Sequence, residues 1–249
     1  IQAMIDRGLV VEPLRELYKD EVRLLGRELG LPQPLLDRHP FPGPGLGIRL
    51  LCHDGSSVPE SFAGQPRLEA ELAKQDLHGR ILPVKSVGVQ GDERSYRHPA
   101  VVWSPSGKWP GWPELNAGAA RLINELADIN RVMIALDDLT DERFELRRTF
   151  VNRAGLDLLR KVDDLLHRRI AHLPEIWQAP VIAPPLFDRA SRQAFVLRPV
   201  CSKDAMTADV YPIDFAFLAE LAREVRAIPG AGYLFYDITT KPPGTIEWE

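Results

Sequence analysis

The residues best equipped for chemistry stand at the end of the chain, in Lys241-Pro-Pro-Gly-Thr-Ile-Glu247-Trp-Glu249. Pro242 and Pro243 fix φ and bias Lys241 toward an extended conformation, which puts its ammonium on a stiff stalk. Gly244 permits a tight turn, and two carboxylates follow. An ammonium suits a phosphate, while carboxylates accept from hydroxyls and N–H groups. The segment therefore reads as half of a small-molecule site. Chain ends commonly fray, but Ile246 and Trp248 supply apolar anchors. The tail is expected to be partly held without ligand and to close fully on it. The other half of the site must come from earlier in the chain. Arg38 and His39 are candidates, at the entrance to a segment rich in proline and glycine. Lys85, Asp92 and Arg94 cluster on and after a strand. For Lys85 and Arg94 a solvated or structural role stays open.

The elements that must position these groups belong to a chain of 249 residues, 45% hydrophobic, enough for one or two cored domains. A net charge of −4 excludes the global basic field of a nucleic-acid binder. No apolar run has membrane-spanning length and nothing resembles a signal peptide, so the expectation is cytoplasmic, away from membranes. Cys52 and Cys201 lack metal-ligand spacing and read as reduced, buried thiols, and no metal site is expected. The chain starts at Ile1 without an initiator Met and reads as the C-terminal part of something longer.

Pro13 opens a predicted helix with an apolar stripe at Leu14, Tyr18, Val22, Leu25 and Leu29, stopped by Gly30 and Pro32. Arg38 to Arg49 holds three prolines and three glycines in its first ten residues, a semi-rigid linker. Beyond it the spacing predicts helix 66–77, strand 81–90, a polar turn at 91–98, strand 100–104, helix 113–127 and strand 131–136. The order then recurs: helix 155–170, strand 180–186, a turn, strand 194–201, a helix from Pro212 and strand 232–237. Both passes read α-β-β-α-β, which suggests duplication, with two small helix-covered sheets whose apolar faces pack together. The fold class is α+β.

Several stretches together resemble the C-terminal portion of glutamine-hydrolysing GMP synthase, in the long form with a duplicated dimerisation-type unit. They are Glu12-Pro-Leu-Arg-Glu, Lys19-Asp-Glu-Val-Arg, Gly26-Arg-Glu-Leu-Gly-Leu-Pro32, Arg38-His-Pro-Phe-Pro-Gly-Pro-Gly-Leu46, Val87-Gly-Val-Gln-Gly-Asp92 and Asp237-Ile-Thr-Thr-Lys-Pro-Pro-Gly-Thr-Ile-Glu-Trp-Glu249. The resemblance implies the end of an ATP pyrophosphatase domain at 1–38, a linker at 39–50, a first unit at 51–154 and a second at 155–249. It implies conversion of xanthosine monophosphate (XMP) to GMP, in which ATP and Mg²⁺ adenylate the base and glutamine-derived ammonia displaces AMP. The phosphate loop and the amidotransferase nucleophile of that family are missing from these residues. ATP, Mg²⁺ and all catalytic residues therefore belong to upstream pyrophosphatase and amidotransferase domains, and this chain alone should be inactive. By the same resemblance Asp92, Gln178, Lys241 and Glu247 contact XMP, with Arg38, His39, Lys85 and Arg94 as neighbours. The site would be shared between the copies, Asp92 from one and Lys241 from the other. Duplication allows either a homodimer or an intrachain pseudo-dimer. The alternative is a purine-nucleotide-binding oligomerisation or regulatory module without chemistry. Residues 105–112 and 137–155 match nothing in the family pattern.

Overall fold

The computed structural model describes residues 2–36, 45–56, 59, 61–90, 93–202 and 206–249. Contacts divide the chain into two compact units, Ile1–Gly43 and Pro44–Glu249. The first contains three short helices, α1 (Gln2–Ile5), α2 (Lys19–Glu28) and α3 (Gln33–Leu36). The stripe placed a helix start at Pro13, but α2 begins at Lys19. Residues 12–17 fold instead as turns, with Arg15 N donating to Glu12 O (3.2 Å) and Leu17 N to Leu14 O (3.1 Å). The Glu21 carboxylate then accepts from Tyr18 N (2.7 Å), satisfying a donor at the true N-terminus. Much of the stripe is uncovered: Tyr18 is 79% and Leu29 72% exposed.

The second unit starts with a 3₁₀ turn, Gly45–Arg49, followed by α4 (Gln65–Ala73), β1 (His78–Ile81), β2 (Ser86–Gln90), β3 (Glu93–Trp103), α5 (Trp112–Glu125), β4 (Ile129–Ala135) and β5 (Glu145–Leu146). Next come α6 (Arg153–Ile170), β6 (Val181–Ile182), β7 (Leu186–Phe187), β8 (Gln193–Leu197), β9 (Val200–Cys201), β10 (Asp209–Val210), α7 (Phe215–Arg226) and β11 (Ala231–Asp237). Asn152 and Asp214 cap α6 and α7, accepting from Gly155 N (2.9 Å) and Phe217 N (3.0 Å).

Nine strands form one mixed sheet in the order β1-β3-β4-β11-β8-β7-β5, with β2 paired to β3 and β6 to β8. Strands β3 and β4 run parallel, as do β8 and β11, while β4 and β11 are antiparallel. The expectation of two small sheets packed face to face is therefore corrected: the strands join edge to edge, Met133 opposite Asp237 and Ala135 opposite Phe235. Every residue of β4 is buried, so an open β4 edge would leave backbone donors and acceptors unpaired in an apolar setting. Three boundaries also move. Pro83 interrupts the long strand expected over 81–90, and Pro184-Pro185 interrupts the one over 180–186, because proline cannot donate to a ladder. Most of the polar turn expected at 91–98 is strand, since β3 pairs with β2 from Glu93 onward.

Alternation along the central strands sorts two apolar layers. Val102, Ile134, Leu197 and Tyr236 face a core shared with α4, α5, α6 and α7. Val101, Met133, Val196 and Phe235 face a second core that contains Leu51, Leu139 and Trp248. No helix among the described residues covers that second layer, and the C-terminal tail helps to close it.

Candidate functional site

After β11 the chain stays on the sheet. Ile238 N donates to Val132 O (3.0 Å), and the Thr239 hydroxyl accepts from Val132 N (3.0 Å). Lys241 exchanges both backbone hydrogen bonds with Ala208, at 2.8 and 3.0 Å. Gly244 N closes the turn on Thr240 O (2.9 Å). The chain then runs beside β2: Val89 N donates to Pro243 O (2.6 Å) and Val87 N to Trp248 O (2.8 Å). Two stretches more than a hundred residues apart, the Val-Gly-Val-Gln hairpin strand and the Lys-Pro-Pro-Gly turn, are thus hydrogen-bonded neighbours. Asp92 lies outside the described residues, and so do Arg38 and His39. A Cβ on Gly244 would come within 3.1 Å of Arg198 Nη2 and of Thr239 Cγ2 and 3.2 Å of Arg131 Nη1, so the turn needs a residue without a side chain.

Those arginines belong to a buried ionic cluster beneath the tail. Arg131, Arg198 and Asp237 are each 0% exposed. Arg131 Nη1 donates to Asp237 Oδ2 at 2.9 Å, and Arg198 Nη1 lies 3.2 Å from the same oxygen. The remaining donors go largely to the tail backbone. Arg131 Nη2 reaches Thr245 O (3.1 Å) and Glu247 O (3.0 Å), while Arg198 reaches Thr245 O (3.0 Å) and Thr239 O (2.6 Å). Trp248 Nε1 donates to Asp237 Oδ2 (3.0 Å), and the Arg131 guanidinium sits 5.2 Å from the centroid of its ring. Burial pushes the Arg131 guanidinium down to about 10, with Asp237 pulling the other way. Burial also acts to raise Asp237, but the Arg198 and Arg131 charges outweigh it and hold the carboxyl below its ordinary range. Buried ions persist only when paired and hydrogen-bonded, and here the tail backbone supplies many of the bonds.

Glu247 is engaged by a residue from the start of the unit. Arg49 Nη2 donates to its Oε1 (3.1 Å) and Nε to its Oε2 (3.3 Å), and Arg49 Nη1 stands 3.8 Å from Asp163 Oδ1. Gln178 is buried, and its backbone bridges Val200. Val200 pairs with Val210 in the β9–β10 ribbon, whose lower end holds Ala208 and hence Lys241. Backbone pairings thus connect Gln178, Lys241 and the tail. Arg94 is exposed on β3 opposite Val89, on the same hairpin. Lys85 is exposed too, but it lines a separate cleft of about 340 Å³ with Cys52, His53, His98 and Glu249. Cys52 is exposed rather than buried, because its side chain opens onto that cleft. Among the described residues, no group of His, Cys, Asp and Glu could hold a metal ion.

Sequence reasoning did not single out Arg49, Arg131, Arg198 or Asp237. A signal was present for the arginines of the sheet: each is the lone charge in or beside an apolar strand, Ile-Asn-Arg131-Val-Met-Ile-Ala and Gln-Ala-Phe-Val-Leu-Arg198.

Comparison with known proteins follows the same residues. The GMP synthase C terminal domain family matches residues 171–248, which contain Gln178 and the whole tail except Glu249. A protein of Leptospira interrogans named probable GMP synthase (glutamine-hydrolyzing) is 41% identical over 255 aligned positions, covering all of this chain and 41% of the relative. One of Caenorhabditis elegans with the same name is 32% identical, covering 97% of this chain and 42% of the relative. A GMP synthase of Fusobacterium nucleatum is 45% identical over 142 positions, 49% of this chain and 27% of the relative. The chain thus spans well under half the length of the curated relatives it matches. Along its full length this chain is homologous to the C-terminal region of the glutamine-hydrolysing GMP synthases.

Proposed function

We propose that this chain is the XMP-binding and self-association region of a GMP synthase, inactive alone, acting with upstream pyrophosphatase and amidotransferase domains in the cytoplasm. The observation that carries the reading is the hydrogen-bonded meeting of the β2–β3 hairpin with the Lys241 turn, at Val89 N to Pro243 O. Lys241 is the phosphate ligand, and Asp92, Gln178 and Glu247 accept from or donate to ribose and base. Arg38, His39 and Arg94 are neighbours of that site; Lys85, on its separate cleft, is the weakest of them. ATP and Mg²⁺ bind upstream of this chain in that reading.

Three further observations support the assignment of segments. Exposed apolar side chains such as Val11 (84%), Tyr18 and Leu29 suit residues 1–38 as the end of a larger pyrophosphatase domain, joined by the 39–50 linker. The elements α4-β1-β3-α5-β4 and α6-β6-β8-α7-β11 repeat in order, and the antiparallel β4–β11 seam suits them as two dimerisation-type units, 51–154 and 155–249, in one pseudo-dimer. The Fusobacterium relative matches only 49% of this chain, as a family member carrying one such unit rather than two would.

Isothermal titration of XMP into the chain and its Lys241→Ala variant tests the reading. The expected result is measurable binding that falls roughly tenfold or more on loss of one charge-assisted contact. Equal affinities for both proteins would overturn it. Sedimentation should show a monomer, because the seam already satisfies the pairing a second copy would offer; an obligate, ligand-independent dimer would reject the pseudo-dimer.

A further inference from the structure

We propose that Arg49 is a positioning residue of the nucleotide site: it holds the Glu247 side chain in the orientation in which that carboxylate meets the ligand. The proposal rests on the nucleotide reading above. It starts from a division of labour within the tail. The Glu247 backbone is fixed from below, since its carbonyl accepts from the buried Arg131 (3.0 Å), and Trp248 beside it is anchored on Asp237. None of those bonds restrains the Glu247 side chain, which carries the chemistry. Its restraint is Arg49, 198 residues away in sequence, through Nη2 to Oε1 (3.1 Å) and Nε to Oε2 (3.3 Å).

A two-point contact fixes the plane of a carboxylate as well as its position, which a lysine cannot do. The Arg49 side chain is 11% exposed and that of Glu247 13%, so screening by solvent is limited. Asp163 on α6, at 3.8 Å from Nη1, steadies the far side of the guanidinium. An ionised carboxylate offers about four acceptor sites. Arg49 takes one on each oxygen and leaves one on each for donors from a bound nucleotide. The same pair ties the tail to the first turn of the unit, Gly45–Arg49, at the end of the linker.

The test titrates XMP into the full 249-residue chain carrying Arg49→Gln, Arg49→Lys, Glu247→Ala, or Arg49→Gln with Glu247→Ala. Hydrogen exchange is followed at the Val87 and Val89 amides, which are bonded to Trp248 O and Pro243 O. Arg49→Gln should weaken XMP roughly tenfold, the share of one charge-assisted contact. Arg49→Lys should restore part of that loss. In the Glu247→Ala background Arg49→Gln should add nothing, and Val87 and Val89 should stay protected throughout. Unchanged affinity in Arg49→Gln overturns the proposal, as do fully additive losses. Protection lost together with affinity shows a merely structural pair and also overturns it. Absence of XMP binding to the unsubstituted chain is a distinct result, which removes the nucleotide reading and this proposal with it.

Discussion

Strands β4 and β11 lie side by side but end at opposite ends of the sheet, and each ends in charge beneath an aromatic ring. Where β11 stops, Arg131, Arg198 and Asp237 are fully buried under Trp248. Where β4 stops, Arg226 lies 4.1 Å from the ring centroid of Tyr233, whose hydroxyl donates to Glu142 Oε2 (2.9 Å). Arg226 Nη2 also approaches Asp137 Oδ2 to 2.6 Å, though not in hydrogen-bond alignment. The Arg226 and Asp137 side chains there remain 31% and 23% exposed. Burial, with Glu142 adding to it, pushes the Tyr233 hydroxyl up to about 12, so it remains a donor at neutral pH. The difference is the tail. Only the β11 end has a following segment that returns over its charges and hydrogen-bonds them with its own backbone. One end is therefore closed and specific, and the other is an ordinary, partly exposed ion cluster.

Asp237→Asn should show the largest contrast. It leaves two buried guanidiniums facing each other without their shared anion, a loss expected to cost about 3–5 kcal/mol. Urea unfolding measures it, with Val87 and Val89 exchange reporting release of the tail. A loss under about 1 kcal/mol would mean that the cluster is far wetter than its burial indicates. Gly244→Ala comes next. Its Cβ would press to 3.1 Å on Arg198 Nη2 and Thr239 Cγ2, and both buried side chains are pinned through their other atoms, Arg198 Nη1 on Thr239 O and Thr239 Oγ1 on Val132 N. Overpacking of this kind costs about 1–3 kcal/mol, and the same melt should show it without a change in m-value. Glu142→Gln at the opposite end should cost only about 1 kcal/mol, the net share of one hydrogen bond. Added salt should shrink that difference, because the pairs there are partly solvated. If Glu142→Gln matched Asp237→Asn, the contrast between closed and open ends would fail.

How far these features are legible in the sequence follows from how local their causes are. Helix α6 was placed within two residues (155–170 against Arg153–Ile170) and β11 within one (232–237 against Ala231–Asp237). Apolar period, the Asn152 cap and the glycine before β11 all act within a few residues. The strand breaks at Pro83 and at Pro184-Pro185 have causes just as local, the missing N–H of each proline. The start of β3 at Glu93 is not local, because exposed residues such as Arg94 are strand only through their pairing with β2. The single sheet is hidden for the same reason: nothing near residue 133 says that residue 237 lies opposite. In the candidate site, the hairpin strand and tail are marked by proline, glycine and charge at fixed spacing. Arg49 stands at the end of the linker pattern, yet its role is invisible there, since its partner is 198 residues distant.

The smallest expected effect separates the two ends by sign. Asp237 has its carboxyl held below the ordinary 3.8 by two guanidiniums. Its contribution to stability is complete above pH 3.8 and is lost as pH falls from there through the lowered value, because the unfolded chain takes up the proton first. Asp137 runs the other way. Burial raises its carboxyl above 3.8, and Arg226, misaligned, only partly opposes this. The folded chain binds that proton first, so the penalty for a charged Asp137 is relieved as pH falls through the raised value toward 3.8. Urea unfolding across this acid range, compared with Asp237→Asn and Asp137→Asn, should therefore diverge. The advantage of the unsubstituted chain over Asp237→Asn should shrink on acidification, and its stability relative to Asp137→Asn should grow. Parallel trends in the two comparisons would show that the β4 end pairs its charges as completely as the β11 end, and the tail would lose its claim to be what distinguishes them.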